Sequence, residues 1–229
     1  MSDVRRIDLG YFVRPADEVG GPQPRVEPVL GYLVRHDDAI LLFDTGLGAA
    51  DPETEAHYRP HRYGLAAALA RAGLDRSEVT VVVNCHLHFD HCGGNHELAG
   101  RPILVQAAEL AAAHGAGYTV PELVDFPGAR YQELAGEAEV WPGVWILPTP
   151  GHTAGHQSLV VRQPDGTVIL AGQAHDLASQ FAADHLARRA YRDGAAPPLP
   201  RYPAWLDRLV DFDPRRVLFA HDHSVWEPS

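Results

Sequence analysis

The sequence predicts an α/β sandwich with a functional site along one edge of its sheets. Two observations carry that expectation. Short β-rich runs alternate along the chain with Ala- and Leu-rich segments, the interleaving expected when helices cover packed sheets. In each half of the chain, moreover, an apolar run leads directly into histidines: residues 79–84 into His86-Leu87-His88, and residues 217–220 into His221-Asp222-His223. Loops at such ends are where a rigid scaffold holds reactive side chains.

Taken in order, residues 29–35 and 39–44 are β-rich and flank the polar His36-Asp37-Asp38, which predicts a hairpin ending in Asp44-Thr45-Gly46. Residues 49–62 show no period and read as a loop; Tyr58 to Tyr63 could cap a pocket, and His57 and His61 fit surface positions equally well. Residues 63–72 read as a helix stopped at Gly73. The continuous apolar run 79–84 suits a buried strand. The histidines behind it are expected in a strand-to-helix loop, with the helix starting near Asp90 or His91. A strand at 103–105 and a helix at 106–114 follow, then a Gly-, Pro- and acid-rich stretch, 115–143, that reads as a connector between halves. The second half offers strands at 144–147, 158–161 and 168–171, helices at 176–189 and 204–210, and a last strand at 217–220.

A chain of 229 residues with 45% apolar and 21% charged residues is balanced like an ordinary globular protein, and one domain over residues 1–229 is expected. Thirty acidic against 19 basic residues give a formal charge of -11, which argues against nucleic acid or anionic membrane as partners and for a small-molecule substrate. A homodimer is left open. The sequence contains no Lys, which removes Schiff-base chemistry and the P-loop lysine. Cys85 and Cys92 flank the histidine run and are expected to be reduced. The N-terminal residues lack an apolar stretch of signal-peptide or membrane-span length, so a cytoplasmic location is expected.

A transition-metal site needs imidazole and carboxylate ligands that converge from rigid supports. His86 and His88 alternate along an extended segment and so point to one side, while Asp90 and His91 lie further on and can face a neighbouring position. The pattern His86-x-His88-x-Asp90-His91 after a buried strand resembles the signature of the metallo-β-lactamase superfamily. Asp44-Thr45-Gly46 upstream, Pro150-Gly151-His152-Thr153-Ala154-Gly155-His156 downstream and Phe219-Ala220-His221-Asp222 near the end extend the resemblance over roughly residues 29–223. Residues 43–47, 86–95, 151–159 and 219–222 are most similar to the N-acyl homoserine lactonases, the quorum-quenching branch.

The resemblance implies a four-layered αββα sandwich with the metals at its edge. It implies that His86, His88 and His152 hold one metal and that Asp90, His91 and His221 hold another, with His223 a competitor for the last position. Asp44 would orient the histidine loop from behind. His156 reads as a structural partner of its own loop and Cys92 as a small packed side chain.

The chain departs from the family pattern at two positions. Where most members place a metal-bridging Asp at a strand end, this chain has Ala171-Gly172-Gln173, so the second metal is expected to bind loosely or not at all. His175 and Asp176 are the nearest substitutes. Asp176 also falls where the lactonases have a Tyr that helps the substrate oxygen, and an ionised carboxylate cannot donate that hydrogen bond.

The expected function is metal-dependent hydrolysis of an ester or lactone carbonyl, with N-acyl homoserine lactones as first substrate class. Zinc is the expected metal, one or two ions per chain, with iron or manganese as alternatives. Asp90 and Gln173 are the candidate catalytic positions, Asp90 relaying the proton to the leaving group. Rival readings are a thioester hydrolase of the glyoxalase II type, a mononuclear iron sulfur dioxygenase, and a non-catalytic metal-binding module.

Overall fold

Along Ala39–Phe43 (β3) the side chains of Leu41 and Phe43 face one way and those of Ile40 and Leu42 the other, and all four are buried. A strand without a solvent face must be covered on both sides. The computed structural model, which describes residues 2–228, shows how. Two sheets stack face to face, and helices cover the outside of each.

The first sheet has seven strands. In chain order they are Ser2–Arg14 (β1), Arg25–His36 (β2), β3, His61–Arg62 (β4), Val81–Val83 (β5), Ile103–Gln106 (β6) and Tyr131–Leu134 (β7), arranged β4-β1-β2-β3-β5-β6-β7. The second has five, Ala138–Trp141 (β8), Val144–Pro148 (β9), Gln157–Gln163 (β10), Gly166–Leu170 (β11) and Pro214–Leu218 (β12), arranged β12-β11-β10-β9-β8. Leu41, Phe43, Val81 and Val83 meet Ile146, Leu159, Val161 and Leu170 between the sheets. On the outer face of the first sheet Leu42, Val82 and Val105 pack against Leu65 and Leu69 of Leu65–Arg71 (α2) and Ala113 of Ala107–Ala113 (α3). On the outer face of the second, Val160 and Ile169 pack against Phe181 of Ala178–Arg192 (α5) and Leu206 and Leu209 of Trp205–Val210 (α6). The layers are therefore αββα, as expected.

Strand β3 pairs in parallel with β5, β5 with β6, and β11 with β12. The loops leaving β3, β5, β11 and β12 carry Asp44, the histidine run, Gln173 and His221 respectively. Parallel strands place such loops at one edge. Gln157 joins the sheets there: its amide nitrogen donates to the carbonyls of Asn84 (2.8 Å) and Leu104 (2.9 Å).

Two expectations are corrected, and two further elements lay outside them. The N-terminal residues form the longest strand, β1, paired with β2 from Ser2 to Arg14. Residues 49–62 contain a helix, Pro52–Tyr58 (α1), capped by the Asp51 carboxylate, which accepts from the N–H groups of Glu53 and Thr54, with Pro52 at the first position. No helix starts near Asp90 or His91. The carbonyls of Phe89 and His91 accept instead from Gly48 N–H (2.7 Å) and Thr45 N–H (2.8 Å), and a Cβ at Gly93 would lie 1.8 Å from the Gly48 nitrogen. That close approach locks the histidine run as a single turn against the loop after β3. The stretch 115–143 does connect the two sheets, and it also supplies an edge strand to each, β7 and β8, besides the short helix Pro121–Val124 (α4).

Candidate metal centre

Strand β5 ends in a fully buried interior, and the chain turns back within a few residues. His91 N–H and Cys92 N–H both reach the His88 carbonyl, at 3.0 and 3.1 Å. This turn aims His86, His88, Asp90 and His91 at one place. His152 arrives from the loop between β9 and β10, and His221 from the end of β12.

Three imidazole nitrogens converge first. His86 Nε2 lies 3.0 Å from His88 Nδ1, which lies 3.2 Å from His152 Nε2. In a tetrahedral site with metal–nitrogen bonds of about 2.0–2.1 Å the donors stand about 3.3 Å apart, so the spacing fits one ion of that size. Burial first, then the neighbouring imidazoles, push His86 well below the usual imidazole pKa. The same causes push His152 down to about 3, and burial lowers His88. Neutral lone pairs facing one another are the donor set a cation requires.

The second cluster has a different character. His91 Nε2 is 3.1 Å from His221 Nε2, and Asp90 Oδ2 is 3.3 Å from each. Burial disfavours charge on both Asp90 and His91, yet the pairing wins. His91 and His221 hold Asp90 well below the usual carboxylate range, and Cys85, Asp90 and Asp44 raise His91 well above the usual imidazole value. A cation placed here would take over from the His91 proton. The donors His86, Asp90 and His91 also lie within 4.8 Å of one another, so the clusters adjoin.

Asp44 stands behind the second cluster. One carboxylate oxygen accepts from Cys85 N–H (2.8 Å) and the other lies 3.0 Å from His91 Nδ1, fixing the ring's aim. Its backbone takes φ 62, a left-handed conformation that Asp tolerates better than most residues. Cys85 and Cys92 are free thiols, both buried. His221 Nδ1 is held by the Pro28 carbonyl at 2.9 Å, whereas His223 is exposed and outside the cluster. His156 Nδ1 lies 2.8 Å from Thr149 Oγ1, and its Nε2 accepts from Gln173 N–H, so it braces its own loop as expected.

Gln173 lies beside the second cluster. Its Oε1 is 3.3 Å from His91 Nε2, and its Nε2 donates to Asp176 Oδ1 at 3.1 Å. Neither suggested substitute turns inward. His175 pairs with Asp184 at 2.7 Å and packs on Phe181 and Trp205. Asp176 pairs with Arg14 at 2.9 Å. Burial opposes ionisation of Asp176, but Gln173 and Arg14 hold its pKa below the usual value.

A cavity of about 670 Å³ opens over both clusters, with His88, Asp90, His152 and Gln173 on its floor. Phe12, Tyr58, Phe89 and Tyr118 form aromatic walls, and Glu18, Asp51, Glu53 and Glu122 line it as acids. Arg14 is its one arginine. Tyr58 does line the pocket, as a cap would, while His57 is exposed and bonded to Glu18. Arg14, Tyr118 and the buried Glu109 were not singled out from sequence. Glu109 left one visible signal, a lone acid in an otherwise apolar helix.

Residues 24–221 match the model of the metallo-beta-lactamase superfamily. An N-acyl homoserine lactonase from Bacillus sp is 33% identical over 156 residues, covering 62% of this chain and 62% of that protein, so the match spans less than two thirds of the relative's length. The N-acyl homoserine lactonase AttM of Rhizobium johnstonii is 28% identical over 224 residues, 87% of this chain and 83% of its own. The crystal structure of a quorum-quenching N-acyl homoserine lactone hydrolase superposes with a TM-score of 0.74 at 26% identity, covering 96% of this chain and 92% of that one.

Proposed function

The chain belongs to the metallo-beta-lactamase superfamily, and from that premise we propose that it is a metal-dependent hydrolase that opens an ester or lactone carbonyl, N-acyl homoserine lactones being the first class to test. The observation that carries this reading is the pair of adjoining ligand clusters on the floor of one aromatic-walled cavity, with the ionised Asp90 at their junction. The similarity to lactonases supports the substrate class.

The first metal position is His86, His88 and His152, and the second is Asp90, His91 and His221. A bound zinc ion, or iron or manganese in its place, would acidify water and polarise a carbonyl oxygen. Asp90, held as an anion, can accept a proton on the carboxylate oxygen not committed to the second position and return it to the leaving alkoxide. Gln173 orders the far side, its amide spanning His91 and Asp176. Asp176 does not donate to substrate. It holds Arg14 at the cavity wall, and the guanidinium is a donor within the site that can orient a substrate carbonyl. Phe12, Tyr58 and Phe89 exclude water and offer apolar surface to an acyl group.

The acids on the cavity wall, Glu18, Asp51, Glu53 and Glu122, favour a neutral substrate over a β-lactam or a glutathione thioester, both of which carry carboxylates. Two free, buried thiols fit a reducing compartment such as the cytoplasm, and among the described residues no helix is long and apolar enough to cross a membrane.

Elemental analysis of protein purified without added metal, followed by a hydrolysis screen of the same sample, tests the reading. One or two zinc ions per chain with turnover of an acyl homoserine lactone or simple ester is the expected result. Metal binding without hydrolysis of lactone, ester, thioester or β-lactam would make the protein a binding module. One iron per chain with sulfur oxidation would make it a dioxygenase.

A further inference from the structure

We propose that Glu109 is a positioning residue that clamps the first ligand cluster, and that it does so selectively, leaving the second cluster to other anchors. The proposal rests on the metal-centre reading above. Glu109 lies in the first turn of α3 and is 1% exposed. Its carboxylate gathers three segments remote in sequence. Oε1 accepts from Leu87 N–H at 2.8 Å and from the Tyr118 hydroxyl, and Oε2 accepts from Thr153 Oγ1 at 2.7 Å.

Each of those donors stands beside a ligand of the first cluster. Leu87 N–H belongs to the peptide that joins His86 to Leu87, on the backbone between the two rings, so fixing it constrains the relative aim of His86 and His88. Thr153 follows His152 directly. The Tyr118 ring lies on His88, with centroids 4.7 Å apart, and walls the cavity. One carboxylate thus sets the spacing of all three imidazoles. A second lock lies beside it: a Cβ at Gly155 would come within 2.3 Å of the Glu109 nitrogen, so the loop carrying His152 rests directly on the turn that carries Glu109.

The second cluster is held elsewhere. His91 is aimed by Asp44, and His221 by the Pro28 carbonyl. Outer partners of metal ligands influence affinity because they decide where the donors stand before the metal arrives. Glu109 should therefore act on one position of the pair.

Cobalt(II) titration followed by its visible absorption tests this, with histidine-selective NMR of the same samples before cobalt is added. Glu109→Ala is expected to weaken the first position about 10–100-fold, shift its absorption band and displace the His88 and His152 ring signals, while the His91 and His221 signals stay in place. Glu109→Gln should rescue most of this, since its carbonyl can still accept from Leu87 and Tyr118 while its amide donates to Thr153 Oγ1. Should Glu109→Ala not fold, Thr153→Val and Tyr118→Phe each remove one strand of the clamp and should produce the same signature, weaker. Unchanged cobalt affinity, band and ring signals in folded Glu109→Ala, or in both single-bond variants, would overturn the proposal. Equal disturbance of both clusters would also overturn it, since it would mark a general packing role. Wild type that takes up no cobalt would count against the hydrolase reading, while the ring signals would still decide whether Glu109 clamps the first cluster.

Discussion

The two ligand clusters adjoin yet rest on opposite electrostatics. In the first, burial strips charge from His86, His88 and His152, leaving three neutral nitrogens. In the second, the same burial is outweighed, and Asp90 and His91 persist as an ion pair backed by Asp44. The difference teaches that the first cluster is organised by placement and the second by charge. A neutral set needs only converging lone pairs. A set that must accept a second dication close to the first needs anions to offset repulsion, and here Gln173 supplies a neutral amide in that place.

The largest expected effect comes from removing placement. His88→Ala takes away a donor shared by the contacts to His86 and His152, and should abolish hydrolysis and weaken the first position by more than the roughly 100-fold that loss of an outer partner costs. Metal content after gel filtration, together with lactone turnover, checks it; near wild-type values for both would remove the first cluster from the mechanism.

Adding charge to the second cluster is the sharper test of the comparison. Gln173→Asp should tighten the second position by at least about tenfold while changing the first less, because the new anion faces His91 directly. Calorimetric titration of chelator-stripped wild type and variant reads both steps. Two tight steps already present in wild type and unmoved by the substitution would show that the amide does not limit the second site.

The smallest effect is expected at the cavity rim. Glu122 is exposed, so Glu122→Lys should lower KM for an anionic ester by only a few-fold, leave a neutral lactone unaffected, and lose the gain in high salt. A gain that survives high salt would point to a direct contact instead.

Which residues meet at the centre was largely legible before the fold was known. The spacing of His86, His88, Asp90 and His91 is local, so a single turn after β5 brings them together whatever surrounds it, and apolar runs such as 79–84 announce buried strands through composition alone. Elements whose conformation depends on distant partners were not legible. Strand β1 alternates weakly and is held by β2 along its whole length, and the turn after His88 stays short of a helix because the loop after β3 takes its carbonyls. The roles of Arg14, Asp176 and Glu109 belong to the same group. Asp176 reads from sequence as a lost donor and becomes, in space, the anchor of an arginine from a strand more than 150 residues earlier. The sequence by itself determined the types of the candidate ligands and their local order, because those depend on residues a few positions apart. Only the tertiary structure decided how each ligand is charged and aimed, because burial, the Asp44 and Glu109 carboxylates and the facing sheet edge act through space and leave no period in the chain.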